Sequence, residues 1–140
     1  MDISPQQLEQ IVAHAREEAP NECCGLVAVV QGSEVGEGHA MNVRSARNVY
    51  ASPKRFEIDG RDILAAMNEF EEQGWEIGAI YHSHTHTAPY PSQTDVNFAA
   101  NWPGVEWIIV GLSDSEYPEV RSYLIEEGVV REVALECVQV

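Results

Sequence analysis

Two histidines one residue apart, His82 and His84, close an apolar run from Trp75 to Tyr81, and Ser92 and Asp95 follow at a fixed distance. A short apolar run of this kind reads as a buried strand. Strand side chains repeat with period two, so His82 and His84 point to the same side. Pro91-Ser92-Gln93-Thr94-Asp95 reads as a helix start, with Ser92 at the N-cap and Asp95 in the first turn. The pattern therefore asks for a fold that brings a strand end against a helix start. Two imidazoles and a carboxylate are the three protein ligands of an open zinc site, whose fourth position is left for water.

Each residue also has a plainer use. Asp95 can close a capping box, Ser92 can cap, and the histidines can be surface residues after a strand. Their joint occurrence favours the metal. Other metal motifs are absent: there is no H-E-x-x-H helix. Cys23 and Cys24 are adjacent and do not make the Pro-Cys-x-x-Cys of zinc deaminases. His86 stands where an H-x-H-x-D metallohydrolase would need an aspartate.

His82-Ser83-His84, Ser92 and Asp95, with the upstream Pro20-Asn21-Glu22-Cys23-Cys24-Gly25-Leu26, resemble the signature of the JAMM (MPN+) zinc metalloproteases at every signature position. Flanking matches include Ala13-His14-Ala15-Arg16, Tyr90-Pro91-Ser92 and Arg121-Ser122-Tyr123. The chain most resembles the small bacterial members that cut after the C-terminus of ubiquitin-like sulfur-carrier proteins, some of which release cysteine. The resemblance implies an α/β fold, a three-layer α/β/α sandwich around a mixed sheet, similar to cytidine deaminase. It implies one Zn2+ per chain on His82, His84 and Asp95, with Glu22 as general base and Ser92 as support for the tetrahedral intermediate. The implied partner is the C-terminal Gly-Gly tail of a ubiquitin-like or sulfur-carrier protein. A zinc hydrolase of small peptides or amides stays open beside it. So does a non-catalytic scaffold binding ubiquitin-like proteins, although scaffolds of this kind lack the metal ligands.

With 140 residues and 44% apolar content, the chain reads as one domain, 1–140, with a core of its own. No basic segment leads into an apolar stretch at the N-terminus and no run approaches a membrane span, so a cytoplasmic location is expected. Three cysteines, two of them neighbours, do not suggest a disulfide framework. A formal charge of −15, from 23 acids against 8 basic residues, would repel a phosphate backbone. Nucleic acid is excluded as a partner on that ground. The same balance suits either a high-salt cytoplasm or an ordinary acidic protein.

Ser4-Pro5-Gln6-Gln7 is a capping box, and Leu8, Ile11, Val12 and Ala15 continue a first helix to about Glu18. Cys24 to Val30 suits a buried strand. Turns are expected at Gln31-Gly32-Ser33 and Gly36-Glu37-Gly38, His39 to Tyr50 is ambiguous, and Phe56-Glu57-Ile58 reads as a strand. Asp59 begins a second helix with an apolar stripe of Ile63, Leu64, Met67 and Phe70, ending at Gly74. Glu106 to Leu112 reads as a strand, Ser113 to Glu119 as a loop, and Val120–Ile125 with Val129–Leu135 as a hairpin. Tyr50 to Ile58 is the expected edge strand for an extended substrate tail, since Pro53 suits an edge. Cys23 and Cys24 point to opposite faces of a strand and read as core, not as a nucleophile. His86 reads as a loop residue, His14 and His39 have no partner pattern, and Trp75, Trp102 and Trp107 read as core or rim aromatics.

Overall fold

Ser4 accepts a hydrogen bond from the Gln7 N–H, the Gln7 side chain reaches back to the Ser4 N–H, and Pro5 sets the first helical φ. The chain thus enters a helix where its sequence says it should. The computed structural model describes residues 1–30, 38–114 and 116–138. A short strand β1 (Asp2–Ile3) precedes helix α1 (Pro5–Glu18). Then follow β2 (Cys24–Val30), β3 (Ala40–Ala46), α2 (Gly60–Glu72), β4 (Trp75–His84) and α3 (Gln93–Ala99). Strands β5 (Glu106–Gly111), β6 (Glu119–Glu126), β7 (Val129–Val133) and β8 (Glu136–Cys137) complete the order.

Six strands form one sheet in the order β3-β2-β4-β5-β6-β7, while β1 pairs with β8. Within the six, β4 and β5 are parallel and all other neighbours antiparallel. A parallel pair needs a crossover, and α3 lies in it. On one face Ile11, Val12 and Ala15 of α1 cluster with Val27, Tyr81 and Ile108. On the other, Ala66 and Phe70 of α2 and Ala99 of α3 cluster with Leu26, Ile80 and Ile109. The result is the expected α/β/α sandwich on a mixed sheet. No helix of the described residues is long and apolar enough to cross a membrane.

Several expectations change. Phe56-Glu57-Ile58 is not a strand: a single bridge links Ile58 to Asn48. The segment from Tyr50 to Ile58 therefore offers no sheet edge; on that side the edge is β3, within the ambiguous stretch. In α2, Leu64 and Met67 are 60% and 50% exposed, whereas Ala66 and Phe70 are buried. Ile63 and Phe70 of the expected stripe do pack, with Ala66 in place of Leu64 and Met67. Gln31-Gly32-Ser33 and Gly36-Glu37 lie outside the described residues. The β6–β7 hairpin is as expected, with Glu127 (φ 51°) and Gly128 (φ 79°) as its turn.

One irregularity aims the site. In the β2–β4 ladder Val27 pairs with Ala79 but Ala28 pairs with Ile77, so Gly78 is an extra residue, a β-bulge. A bulge reverses the alternation of the strand. Trp75 and Ile77 pack on the α2 face before it, and Ile80 does so after it. His82 and His84 share that parity. A Cβ on Gly78 would lie 2.4 Å from Val29 Cγ1, so the bulge is compatible only with glycine unless Val29 moves.

Candidate metal centre

The last residues of β4 divide by parity into two jobs. On the α1 side, Ser83 Oγ accepts the Cys23 N–H at 2.8 Å, and Thr85 Oγ1 donates to the Pro20 carbonyl at 3.1 Å. These bonds fasten the segment that carries Glu22 to the strand that carries the histidines. On the α2 and α3 side stand His82 and His84, 0% and 5% exposed.

Helix α3 brings in the third group. Ser92 Oγ accepts the Asp95 N–H and Asp95 Oδ2 accepts the Ser92 N–H, a reciprocal capping box. Asp95 Oδ2 lies 3.1 Å from His82 Nε2 and 3.2 Å from His84 Nε2, and the two nitrogens are 3.1 Å apart. Burial works against ionised Asp95, but the charge of His82 and hydrogen bonds from His82, His84 and the Ser92 N–H hold its carboxyl well below the usual range. Burial pushes His82 down against the pull of Asp95. Burial also opposes protonation of His84, yet hydrogen bonds to Asp95 and the Ala88 carbonyl raise it.

Three donors at this spacing fit a metal ion. Bonds of about 2.0–2.1 Å around a tetrahedral ion put neighbouring ligand atoms roughly 3.3 Å apart. His84 Nδ1 donates to the Ala88 carbonyl at 2.9 Å, which leaves the Nε2 lone pair facing His82 and Asp95. Two imidazole nitrogens and a carboxylate buried against each other are costly without a cation between them.

Glu22 completes the group. It is 5% exposed, and its carboxylate and the two histidine nitrogens all lie within 4.8 Å of one another. Burial, opposed by His84 and reinforced by Asp95, raises its carboxyl from 4.5 to about 7. Asp95 approaches both nitrogens more closely, to 3.1 and 3.2 Å, so either carboxylate could stand as the third donor beside the histidines.

The sequence of residues 4–126 matches the family model for prokaryotic homologs of the JAB domain. The chain belongs to the JAB family. It is 36% identical over 129 residues to the CysO-cysteine peptidase of Mycobacterium tuberculosis, covering 92% of this chain and 85% of that protein. The Desampylase of Haloferax volcanii is 32% identical over 117 residues, 78% of each chain. A solution structure from Desulfitobacterium hafniense superposes with a TM-score of 0.85 at 30% identity, covering 99% of this chain and 92% of that one. A JAB1/MPN domain protein from Archaeoglobus fulgidus shares the fold, with a TM-score of 0.66 at 21% identity over 99% and 100% of the two chains.

Other residues of this JAB domain fall outside the group. Cys23 and Cys24 are buried in the clusters on opposite faces of the sheet. Burial pushes the Cys23 thiol up to about 12 and raises Cys24 as well. His86 is exposed. His39 pairs with Asp2 at 2.8 Å, and His14 Nδ1 meets the Tyr81 hydroxyl at 2.7 Å, a partner that spacing did not foretell. Trp107 is core, and Trp75 and Trp102 pack against it as partly buried residues. Tyr123, in the Arg121-Ser122-Tyr123 match, donates to the Pro89 carbonyl and so anchors the loop between His84 and Ser92.

Phe56 is the aromatic that sequence reasoning placed in a strand. Its ring stacks on His82, centroids 4.4 Å apart at 23°. His82 Nδ1 has no hydrogen-bond partner among the described residues, so stacking on Phe56 supports the ring beside the Nε2 contact to Asp95. The signal was a lone Phe in an irregular stretch, which no pattern distinguishes from ordinary core.

Proposed function

We propose that this JAB domain is a cytoplasmic zinc metallopeptidase. It hydrolyses the peptide or isopeptide bond after the C-terminal Gly-Gly of a ubiquitin-like or sulfur-carrier protein, with cysteine among the groups released. The observation that carries the reading is the meeting of His82 Nε2, His84 Nε2 and Asp95 Oδ2 at 3.1–3.2 Å beside the buried Glu22 carboxylate. The CysO-cysteine peptidase and Desampylase relatives support the substrate class. The net charge of −15 argues against nucleic acid and anionic membranes as partners.

One zinc per chain would be held by His82, His84 and Asp95, and when bound it supplies a Lewis acid for the scissile carbonyl and a water of lowered pKa. Glu22 takes a proton from the attacking water and returns it to the leaving nitrogen. Burial raises its carboxyl in the metal-free protein, the direction that lets one group both accept and return a proton. Ser92 accepts the Asp95 N–H through Oγ, which leaves its hydroxyl proton for the oxygen that gains negative charge. Water attacks directly, so the buried thiols take no part.

The test is the intact mass of a carrier protein whose Gly-Gly terminus bears an added cysteine. Zinc-loaded enzyme should remove one cysteine residue, a chelator should stop the reaction, and added zinc should restore it. If the enzyme leaves Gly-Gly adducts untouched yet cuts short unrelated peptides, a general peptidase reading replaces this one.

A further inference from the structure

We infer that Asn48 is a positioning residue for this reaction: one carboxamide holds both the backbone of Glu22 and the loop that lays Phe56 on His82. Its Nδ2 donates to the Glu22 carbonyl and to the Arg55 carbonyl, each at 3.1 Å. Its Oδ1 accepts the Tyr50 and Glu57 N–H groups, also at 3.1 Å. A carboxamide offers two N–H donors and two oxygen lone pairs, so its hydrogen-bonding capacity is filled. Backbone bonds extend the anchorage: Val49 N–H to the Glu57 carbonyl at 2.9 Å, and Glu22 N–H to the Ser52 carbonyl at 2.8 Å. Residues 49 to 57 thus close on Asn48, with Ser52 gripping Glu22 and Phe56 covering the His82 ring.

The loop adds an anchor to each of the two groups it serves. The Glu22 carboxylate receives no hydrogen bond from a described residue, so its backbone alone aims it. His82 is held at Nε2 by Asp95, while Nδ1 has no partner among the described residues and the ring rests on Phe56. A residue needed only to shape a surface turn would use Oδ1, which already collects the two loop N–H groups. The donation to Glu22, 26 residues upstream, is an addition that a turn does not require. The inference rests on Glu22 as the proton carrier.

Asn48→Asp tests it, because aspartate keeps Oδ1 as acceptor and loses both donations; Asn48→Ala removes all four bonds. With full zinc content, Asn48→Asp should lower kcat by on the order of tenfold to a hundredfold, the usual cost of an outer-shell partner, with KM little changed. In a Glu22→Gln background the same substitution should cost clearly less, since the group it aims can no longer carry the proton and only the Phe56–His82 contact is left to lose. Wild-type kcat in Asn48→Asp, or an equal loss in both backgrounds, would overturn the inference. Amide exchange on the metal-free protein reads the claim without turnover. Asn48→Asp should lose protection at Glu22 while α1 keeps its own, and unchanged protection at Glu22 counts against Asn48. Wild-type enzyme that cuts no Gly-Gly adduct, while Asn48→Asp shows that exchange change, would remove the proposed function and leave the anchoring in place.

Discussion

Glu22 is 5% exposed, its carboxylate receives no hydrogen bond from a described residue, and burial raises its value to about 7. Such a group weakens the fold wherever it is ionised. In the unfolded chain Glu22 ionises near 4.5; in the metal-free native state it holds its proton until about 7. Its contribution to stability is therefore present below pH 4.5 and lost as pH rises through about 7. Glu22→Gln removes that loss, so the metal-free variant should gain stability over wild type between pH 5 and pH 8 in urea unfolding. A difference independent of pH would contradict the raised value. In the zinc-loaded state the same variant should keep its metal and lose on the order of 10²–10⁴-fold in hydrolysis. His84→Ala should lose metal and activity together, and stoichiometric zinc in His84→Ala by elemental analysis would remove that ligand from the set.

At the scale of elements, the site is a property of how β4 is built. Regular alternation would put Trp75 and Ile77 on the face opposite His82 and His84, and the bulge at Gly78 puts all four on one. Gly78→Ala would drive a methyl group into Val29, 2.4 Å away. Relief requires Val29 to repack or the bulge to shift, at roughly 1–3 kcal/mol. The expected outcome is lower stability in urea together with weaker zinc binding, because a moved bulge turns the histidines from Asp95. Wild-type zinc affinity in a destabilised Gly78→Ala would mean that the bulge serves packing alone. Helix α3 was legible by contrast, since Ser92 and Asp95 cap it through bonds spanning three residues, which any reader of local sequence can anticipate.

The whole molecule carries a charge of −15, and its charged side chains crowd a surface of 7652 Å². Self-repulsion on that surface is screened as the Debye length falls from about 30 Å at 0.01 M to about 3 Å at 1 M salt. The melting temperature in sodium chloride should therefore rise across that range by several degrees, each kcal/mol being roughly 2–4 °C for a chain near this size. A flat or falling curve in calorimetry would show that the acids are spaced too widely to matter. The sequence by itself determined α1, β2, the strand that ends in His82 and His84, its following helix and the final hairpin. Their periods, caps and turn residues act over a few positions. It also put His82 and His84 on one strand face and Asp95 in the first turn of a helix, and the structure brings the three together. Glu22 was nameable only by family resemblance, because spacing does not single out one glutamate among many. Tertiary structure alone decided the α2 face, where Ala66 packs with Ile63 and Phe70 while Leu64 and Met67 stay exposed. It alone decided the bulge that aims the histidines and the loop on Asn48 that brings Phe56 to His82. These depend on register, close approach and loop closure between segments far apart in the chain, and no local pattern encodes them.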